Sequence, residues 1–217
     1  MNEKKILSEE KRPYVLLLNG SPHSKGTTKR ALEELAGALS EQEITTEIVD
    51  VGQLNVRGCM ACGACKNTGK CVIDDIVNEL SEKFLLADGV VLGSPVYYSS
   101  PNGGFISLLD RLFYSGKFDK TMKVGASVVV ARRGGLTASF DVLNKYFYIS
   151  GMPIASSYYW NQVHGNNAGE AEGDLEGLDT MRSLGKNMAF LIKAIRLAGE
   201  TMEVPKRPKK VYTNFIR

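Results

Sequence analysis

The chain alternates between short, nearly continuous apolar runs and longer stretches in which apolar residues recur every three or four positions. "PYVLLLN" (13–19) is apolar almost throughout, as a strand covered on both faces requires. Leu32, Leu35, Ala36 and Leu39 follow at helical spacing. "ITTEIVD" (44–50) reads as a second strand, and residues 52–73 as a loop rich in glycine and cysteine. Asp74 or Asp75 can cap a helix running to about Leu86. "DGVVLGS" (88–94) is a short buried strand, and Phe105, Leu108, Leu109, Leu112 and Phe113 stripe the next helix. "KVGASVVVA" (123–131) reads as the fourth strand, with Leu136, Phe140, Leu143 and Phe147 on the helix behind it. "PIASSYYW" (153–160) reads as the fifth, and Met181, Leu184, Met188, Leu191, Ile192 and Ile195 stripe a long last helix.

Five βα units without a break in composition predict an α/β protein with a five-stranded parallel sheet and helices on both faces. The whole of 1–199 reads as one domain, with the cysteine loop (58–72) inserted after strand two and a basic tail over 200–217. In such sheets ligands bind beyond the carboxyl ends of the strands. Those ends here carry "GSPHSKGTT", "GSPVYYSSPNGG", "ARRGGLT" and "WNQVHGNNAGEAEGD".

Composition narrows the function. A chain of 217 residues with 43% hydrophobic and 24% charged residues is ordinary for a globular protein. The net charge of +3 is too small to argue for nucleic acid, and the tail alone, with five basic residues against two acidic, accounts for it. "MNEKKILSEEKRP" lacks the apolar centre of a signal peptide, and no apolar run is long enough to span a bilayer. We therefore expect a cytoplasmic protein, in which four cysteines point to metal or redox chemistry rather than structural disulfides.

The first loop places Ser21, Ser24, Thr27 and Thr28 between a strand and a helix start, with Gly26 letting the backbone turn close to a ligand. Hydroxyls, free N–H groups and the positive end of a helix suit a phosphomonoester. The loop is neither a P-loop nor a G-x-G-x-x-G fingerprint, and an ordinary loop capped by Thr27 or Thr28 is the alternative. In the second loop, Pro95, Tyr97 and Tyr98 can line a flat heteroaromatic ring, or the tyrosines can pack into the core.

"NGSPHSKGTT", then "GSPVYYSSPNGGFISLLDR", then "ARRGG" resemble the flavodoxin-like family of NAD(P)H-dependent FMN reductases, from about Pro13 to Ile195. The cysteines bring the chain closest to its iron–sulfur flavoprotein branch. The resemblance implies a flavodoxin-like three-layer sandwich of strand order 2-1-3-4-5, with FMN at the switch point. It implies phosphate contacts from Ser21, His23, Ser24, Gly26, Thr27 and Thr28. Many relatives have Arg where His23 stands, so the permanent charge there is missing. The ring would lie against Pro95, Val96, Tyr97 and Tyr98, with Ser99 and the loop of Arg132, Arg133 and Gly134 near its other edge. Arg132 or Arg133 is the candidate positive charge beside the reduced flavin, and we expect at least one of the two to be solvated. No side chain is expected to act as a catalytic residue, because the cofactor carries the chemistry.

Cys59, Cys62, Cys65 and Cys71 form C-x2-C-x2-C-x5-C, which overlaps the bacterial ferredoxin run in its first three members but lacks the following proline. The spacing admits one [4Fe–4S] cluster, a four-cysteine zinc site, or free thiols; the resemblance favours the cluster. His164 is expected to make a structural hydrogen bond rather than to move protons, and Asp174 to supply helix-start charge. "VPKRPKKVYTNFIR" reads either as a solvated tail or as a short strand laid on a partner subunit. The leading expectation is an oxidoreductase holding FMN. Its transient donor would be NAD(P)H or a reduced ferredoxin-type carrier, its acceptor a quinone, flavin or similar small molecule, and its assembly a homo-dimer or homo-tetramer. A non-enzymatic electron-transfer flavoprotein and a cysteine-loop redox or metal sensor are the alternatives.

Overall fold

The computed structural model describes residues 12–209 together with Val211, Thr213 and Phe215. The chain runs β1 (Tyr14–Asn19), α1 (Thr27–Glu41), β2 (Thr45–Asp50), α2 (Cys65–Thr68), α3 (Ile76–Leu86), β3 (Gly89–Tyr97), β4 (Ser100–Pro101), α4 (Gly103–Ser115), β5 (Val124–Ala131), α5 (Leu136–Ser150), β6 (Gln162–His164), α6 (Ala168–Ala171) and α7 (Leu175–Thr201).

Strand alternation sorts the apolar residues into two cores. Val15 and Leu17 of β1 face α1 and α7, alongside Leu32, Leu35, Met181, Leu184 and Met188. Leu16 and Leu18 face the other way, onto Val77, Leu80 and Phe84 of α3 and Leu108, Leu109 and Leu112 of α4. Both faces of the sheet are therefore covered, which is why its central strands carry no polar alternation. Where helices press closest the strand side chains shrink. A Cβ on Gly125 would lie 2.5 Å from the Phe147 ring, and one on Gly93 would lie 2.8 Å from Leu32.

The sheet has six strands along the order β2-β1-β3-β5-β6, with β4 paired to β3. The parallel path keeps the expected succession, but two details correct the sequence reading. First, β3 runs past Ser94 to Tyr97 and folds back antiparallel, with Tyr97 opposite Ser100 and Val96 opposite Pro101. Second, 153–160 is not a strand. Ile154 makes one parallel bridge to Gly125, and the chain then leaves the sheet. The Ser157 hydroxyl causes the departure, bonding the Tyr159 carbonyl at 2.6 Å and Asn161 at 2.8 Å and accepting from the Tyr159 N–H. The edge strand is the three-residue β6, paired with Val129–Ala131.

Side-chain caps set the starts of three of the longer helices. Asp75 accepts from the Val77 N–H at the start of α3, Asn102 from Gly104 at α4, and Asp174 from Gly177 at α7. The tail after α7 passes Asp119, whose carboxylate accepts from the Arg207 N–H at 3.0 Å. Of "VYTNFI", Val211, Thr213 and Phe215 lie outside any strand, and Tyr212, Asn214 and Ile216 lie outside the described residues. Among the described residues no helix is long and apolar enough to cross a membrane.

Candidate functional site

The loops at the carboxyl ends of β1, β3, β5 and β6 close around a cavity of about 730 Å³. It opens where the strand order reverses between β1 and β3, and its volume is that of a cofactor pocket.

One wall is the loop before α1. Gly20 is tied to β3 by an N–H bond to the Gly93 carbonyl at 2.8 Å. Asn19 turns its side chain back to accept from Ser21 N–H at 3.1 Å, and the Ser21 hydroxyl accepts from His23 N–H at 3.1 Å. Asn102, the cap of α4, donates to the Gly20 carbonyl at 2.8 Å. Helix α1 itself begins at Gly26 in extended backbone with no side-chain cap and no acidic residue in its first turn. Thr27 and Thr28 are therefore not its caps, contrary to the ordinary-loop alternative. Both are buried, as is Ser21. An uncapped helix start beside three buried hydroxyls is a ready site for an anion. Gly52, after β2, presses on this loop; a Cβ there would lie 2.2 Å from the Ser21 backbone.

The opposite wall is Pro95, Val96 and Tyr97 at the end of β3. Tyr98 and Ser99 both adopt left-handed backbone (φ 50° and 57°), which makes 97–100 a two-residue hairpin of type I′ shape. Such a turn ordinarily takes Asn or Gly, so two side-chain-bearing residues here store strain. Ser99 in turn abuts Gly135 (φ 89°), where a Cβ would meet the Ser99 hydroxyl at 2.7 Å. Tyr98 is fully exposed and Tyr97 half-exposed, so neither packs in the core.

Ser21, His23, Ser24, Gly26, Thr27, Thr28, Pro95, Val96, Tyr97 and Arg132 all border the cavity. Tyr98, Ser99, Arg133 and Gly134 do not; they form the hairpin tip and the outer part of the β5 loop. The sequence reading missed Gln53, which donates to the Pro22 carbonyl at 2.8 Å, and Asn166 and Asn167 beyond β6. Asn166 and Asn167 belong to the "WNQVHGNNAGEAEGD" stretch already placed at a strand end, but no signal marked them, or Gln53 after strand two, individually. His164 lies one residue short of it. Its backbone N–H donates to Asp174 at 2.6 Å, and its imidazole Nδ1 lies 3.6 Å from the same carboxylate.

The four cysteines lie elsewhere, against α3 and α4. Cys59, Cys62, Cys65 and Cys71 line one small pocket of about 20 Å³ together with Arg111 and Tyr114. This pocket and the large cavity share no lining residue. Cys59 and Cys62 are exposed, Cys65 is buried, and none is in a disulfide. Among the described residues no group of three or more Cys, His, Asp or Glu is gathered tightly enough to hold one metal ion. The donor set nevertheless suits a thiolate-ligated centre, because all four cysteines border the same pocket and no carboxylate or imidazole does. Arg111, 1% exposed, makes a two-pronged ion pair with Asp75 at 2.6 and 2.8 Å and reaches Cys71 Sγ at 3.3 Å. Burial works against its charge, but Asp75 and Cys71 outweigh that and hold the guanidinium pKa above its ordinary value.

A doubly wound parallel sheet with an anion-ready loop at its switch point defines a flavodoxin-like protein. The sequence profile of the NADPH-dependent FMN reductases matches residues 13–166, and the chain belongs to that family. An iron–sulfur flavoprotein of Methanocaldococcus jannaschii is 33% identical over 191 residues, covering 84% of this chain and 98% of that one. One from Methanosarcina thermophila is 28% identical over 183 residues, covering 82% and 95%. Among solved structures, an NAD(P)H:quinone oxidoreductase from Methanothermobacter marburgensis superposes with a TM-score of 0.63 at 18% identity, covering 82% of this chain and 98% of that one. A flavodoxin from the domain Archaea superposes at 0.56 and 14% identity, covering 83% and 99%. At such identities the structural likenesses establish the fold.

Proposed function

We propose that the protein is an FMN-dependent oxidoreductase in which FMN occupies the large cavity and the cysteine loop holds one [4Fe–4S] cluster. Its donor is NAD(P)H or a reduced ferredoxin-type carrier, and its acceptor is a quinone, a flavin or a similar small molecule. The observation that carries this reading is the pairing, across one cavity, of an uncapped helix start rich in buried hydroxyls with the Pro95–Tyr97 wall. Bound FMN supplies hydride and one-electron chemistry. The chain's own residues bind and orient it. Ser21, Ser24, Thr27 and Thr28, with the N–H groups from Thr27 onward and Gly26 letting the backbone turn, hold the phosphate, and His23 stands at the exposed rim. Pro95, Val96 and Tyr97 offer the ring a face, and the hairpin of Tyr98 and Ser99 braces that wall. Arg132 brings positive charge to the opposite edge, while Arg133 and Gly134 shape the loop that carries it.

The cluster reading draws support from four cysteines on one pocket and from the names of the relatives, which are iron–sulfur flavoproteins. Residues 12–199 act as one domain in this reading, and residues 1–11 of the expected 1–199 domain lie outside the described residues. The exposed Met60, Val72 and Tyr114 around the cysteine pocket support contact with a carrier or with another copy in a homo-dimer or homo-tetramer. A cytoplasmic setting belongs to the same proposal, since a reducing compartment keeps the four cysteines out of disulfides and available as ligands. The exposure of Cys59 and Cys62 also favours a second reading, a non-enzymatic electron-transfer flavoprotein reached through that face.

Absorption spectra of protein purified without oxygen, with iron, sulfide and zinc assays and mixing with NADH and NADPH, test both. Flavin bands, iron and sulfide, with rapid bleaching by a nicotinamide, are expected. Flavin and iron without bleaching would move the assignment to the second reading. A colourless protein that takes up no FMN would overturn it.

A further inference from the structure

The cysteine loop is exposed along most of its length, yet one deeply buried cation is committed to it. Arg111 projects from α4 and divides its donors between Asp75 and the two ends of this loop. Nη1 donates to the Arg57 carbonyl at 3.1 Å, just before Cys59. Nη2 donates to the Ile73 carbonyl at 3.2 Å, just after Cys71. Nε and Nη2 both reach Cys71 Sγ at 3.3 Å, and Asp75 takes the two-pronged ion pair. Taking an arginine out of water is costly, and a well-packed apolar side chain in place of a buried ion pair is often no less stable. What an apolar residue cannot do is join two separated backbone segments and a sulfur through one rigid fork. Cys71 is also gripped from behind: Asn78 of α3 accepts from its N–H at 3.0 Å and donates to its carbonyl at 3.1 Å. Cys71 is thus fixed in backbone by Asn78 and in side chain by Arg111.

We propose that Arg111 is the positioning residue of the cysteine centre: it closes the loop's ends together and, by hydrogen bonding to Cys71 Sγ, raises the reduction potential of the cluster the loop carries. This rests on the cluster reading above. Hydrogen bonds to a ligating sulfur stabilise the more negative, reduced state of an iron–sulfur centre. Removing them lowers the potential. The uptake of one electron breaks no bond and leaves the ligand set unchanged, and the electron comes from the proposed carrier or from dithionite in the test.

The test loads wild type, Arg111→Lys, Arg111→Gln and Asn78→Ala with iron(II) and sulfide without oxygen. It measures iron per chain, the cluster potential by dithionite titration followed by electron paramagnetic resonance, and FMN binding as a control for folding. Asn78→Ala loosens Cys71 without touching its sulfur. The expected result is lower iron content in all three variants, with FMN binding retained. The potential of the loaded fraction should fall in Arg111→Gln, by about 59 mV for a tenfold weaker preference for the reduced state. It should stay at the wild-type value in Asn78→Ala. Lysine, a point charge, should restore neither full iron content nor the wild-type potential. Wild-type iron content and potential in Arg111→Gln would overturn the proposal while leaving the cluster reading intact. Equal shifts in Arg111→Gln and Asn78→Ala would reduce Arg111 to ordinary packing. A wild type that takes up no iron and sulfide would overturn both.

Discussion

Gly52→Ala tests how tightly the phosphate loop is held. Gly52 follows β2, and its N–H bonds to the Asn19 carbonyl at 3.1 Å. A methyl group there would lie 2.2 Å from the Ser21 carbonyl carbon, 2.3 Å from its oxygen and 2.4 Å from the Gly20 oxygen. All three are backbone atoms, so no rotamer change relieves the clash; either β2 or the loop must shift. Inserting one methyl into a packed site costs about 1–3 kcal/mol. If the loop yields, the dissociation constant for FMN rises about 5- to 140-fold; if it does not, the free energy of unfolding falls by the same amount. The assay is quenching of flavin fluorescence on titrating flavin-free protein, paired with urea unfolding of the same sample. Gly37→Ala is the control. It sits mid-helix in α1 with nothing within 4 Å of the added methyl, so it should gain roughly 0.5–1 kcal/mol of stability and leave FMN affinity alone. Unchanged affinity together with unchanged stability in Gly52→Ala would refute the close backbone packing on which the loop's shape depends.

Asn102→Ala removes both the cap of α4 and the bond to the Gly20 carbonyl; it should lower unfolding free energy by about 1–2 kcal/mol and weaken FMN binding, read by the same two assays. Asp174→Ala removes the cap of α7 and the acceptor for the His164 N–H, and should cost about 1–3 kcal/mol in urea unfolding with little effect on FMN affinity. Lys120 is buried beside Phe118 and donates to the Gly116 carbonyl; burial pushes its pKa down to about 8. The unfolded chain therefore holds more protons than the folded one between about pH 8 and the ordinary lysine value, and Lys120 makes stability rise with pH across that window. Lys120→Met should flatten that part of the profile, measured by unfolding at several pH values.

Much of the fold was legible because this sheet is covered on both faces. Runs such as Val15–Leu18 and Val128–Val130 must be apolar, and the helices behind them must be striped. The misreadings fall where that rule loosens. "PIASSYYW" has strand-like composition, but Ser157 bends the chain through its hydroxyl and leaves Tyr158, Tyr159 and Trp160 on the surface. The edge strand that replaces it has only three residues and one buried apolar side chain, Val163, too little for a pattern. The hairpin at Tyr98 and Ser99 was hidden because neither residue signals left-handed backbone; Gly135, which makes room for it, is far away in sequence. The phosphate loop could be read from its residue types. The reach of Gln53, Asn166 and Asn167 into the cavity could not, since it depends on which strand ends lie side by side. The four cysteines announced a shared site, whereas Arg111, which reaches Cys71 and ties Arg57 to Ile73, carries no sequence signal that sets it apart within an amphipathic helix.

The most direct measurement compares the affinities of FMN and riboflavin for the flavin-free protein. The two share a ring and differ in the phosphate that the uncapped start of α1 and the buried hydroxyls of Ser21, Thr27 and Thr28 are proposed to hold. Two or more hydrogen bonds to a charged acceptor, each contributing about 1.5–3 kcal/mol, should make FMN bind at least about 100-fold more tightly. Equal affinity for riboflavin, or no affinity for either, would contradict the assignment of this cavity.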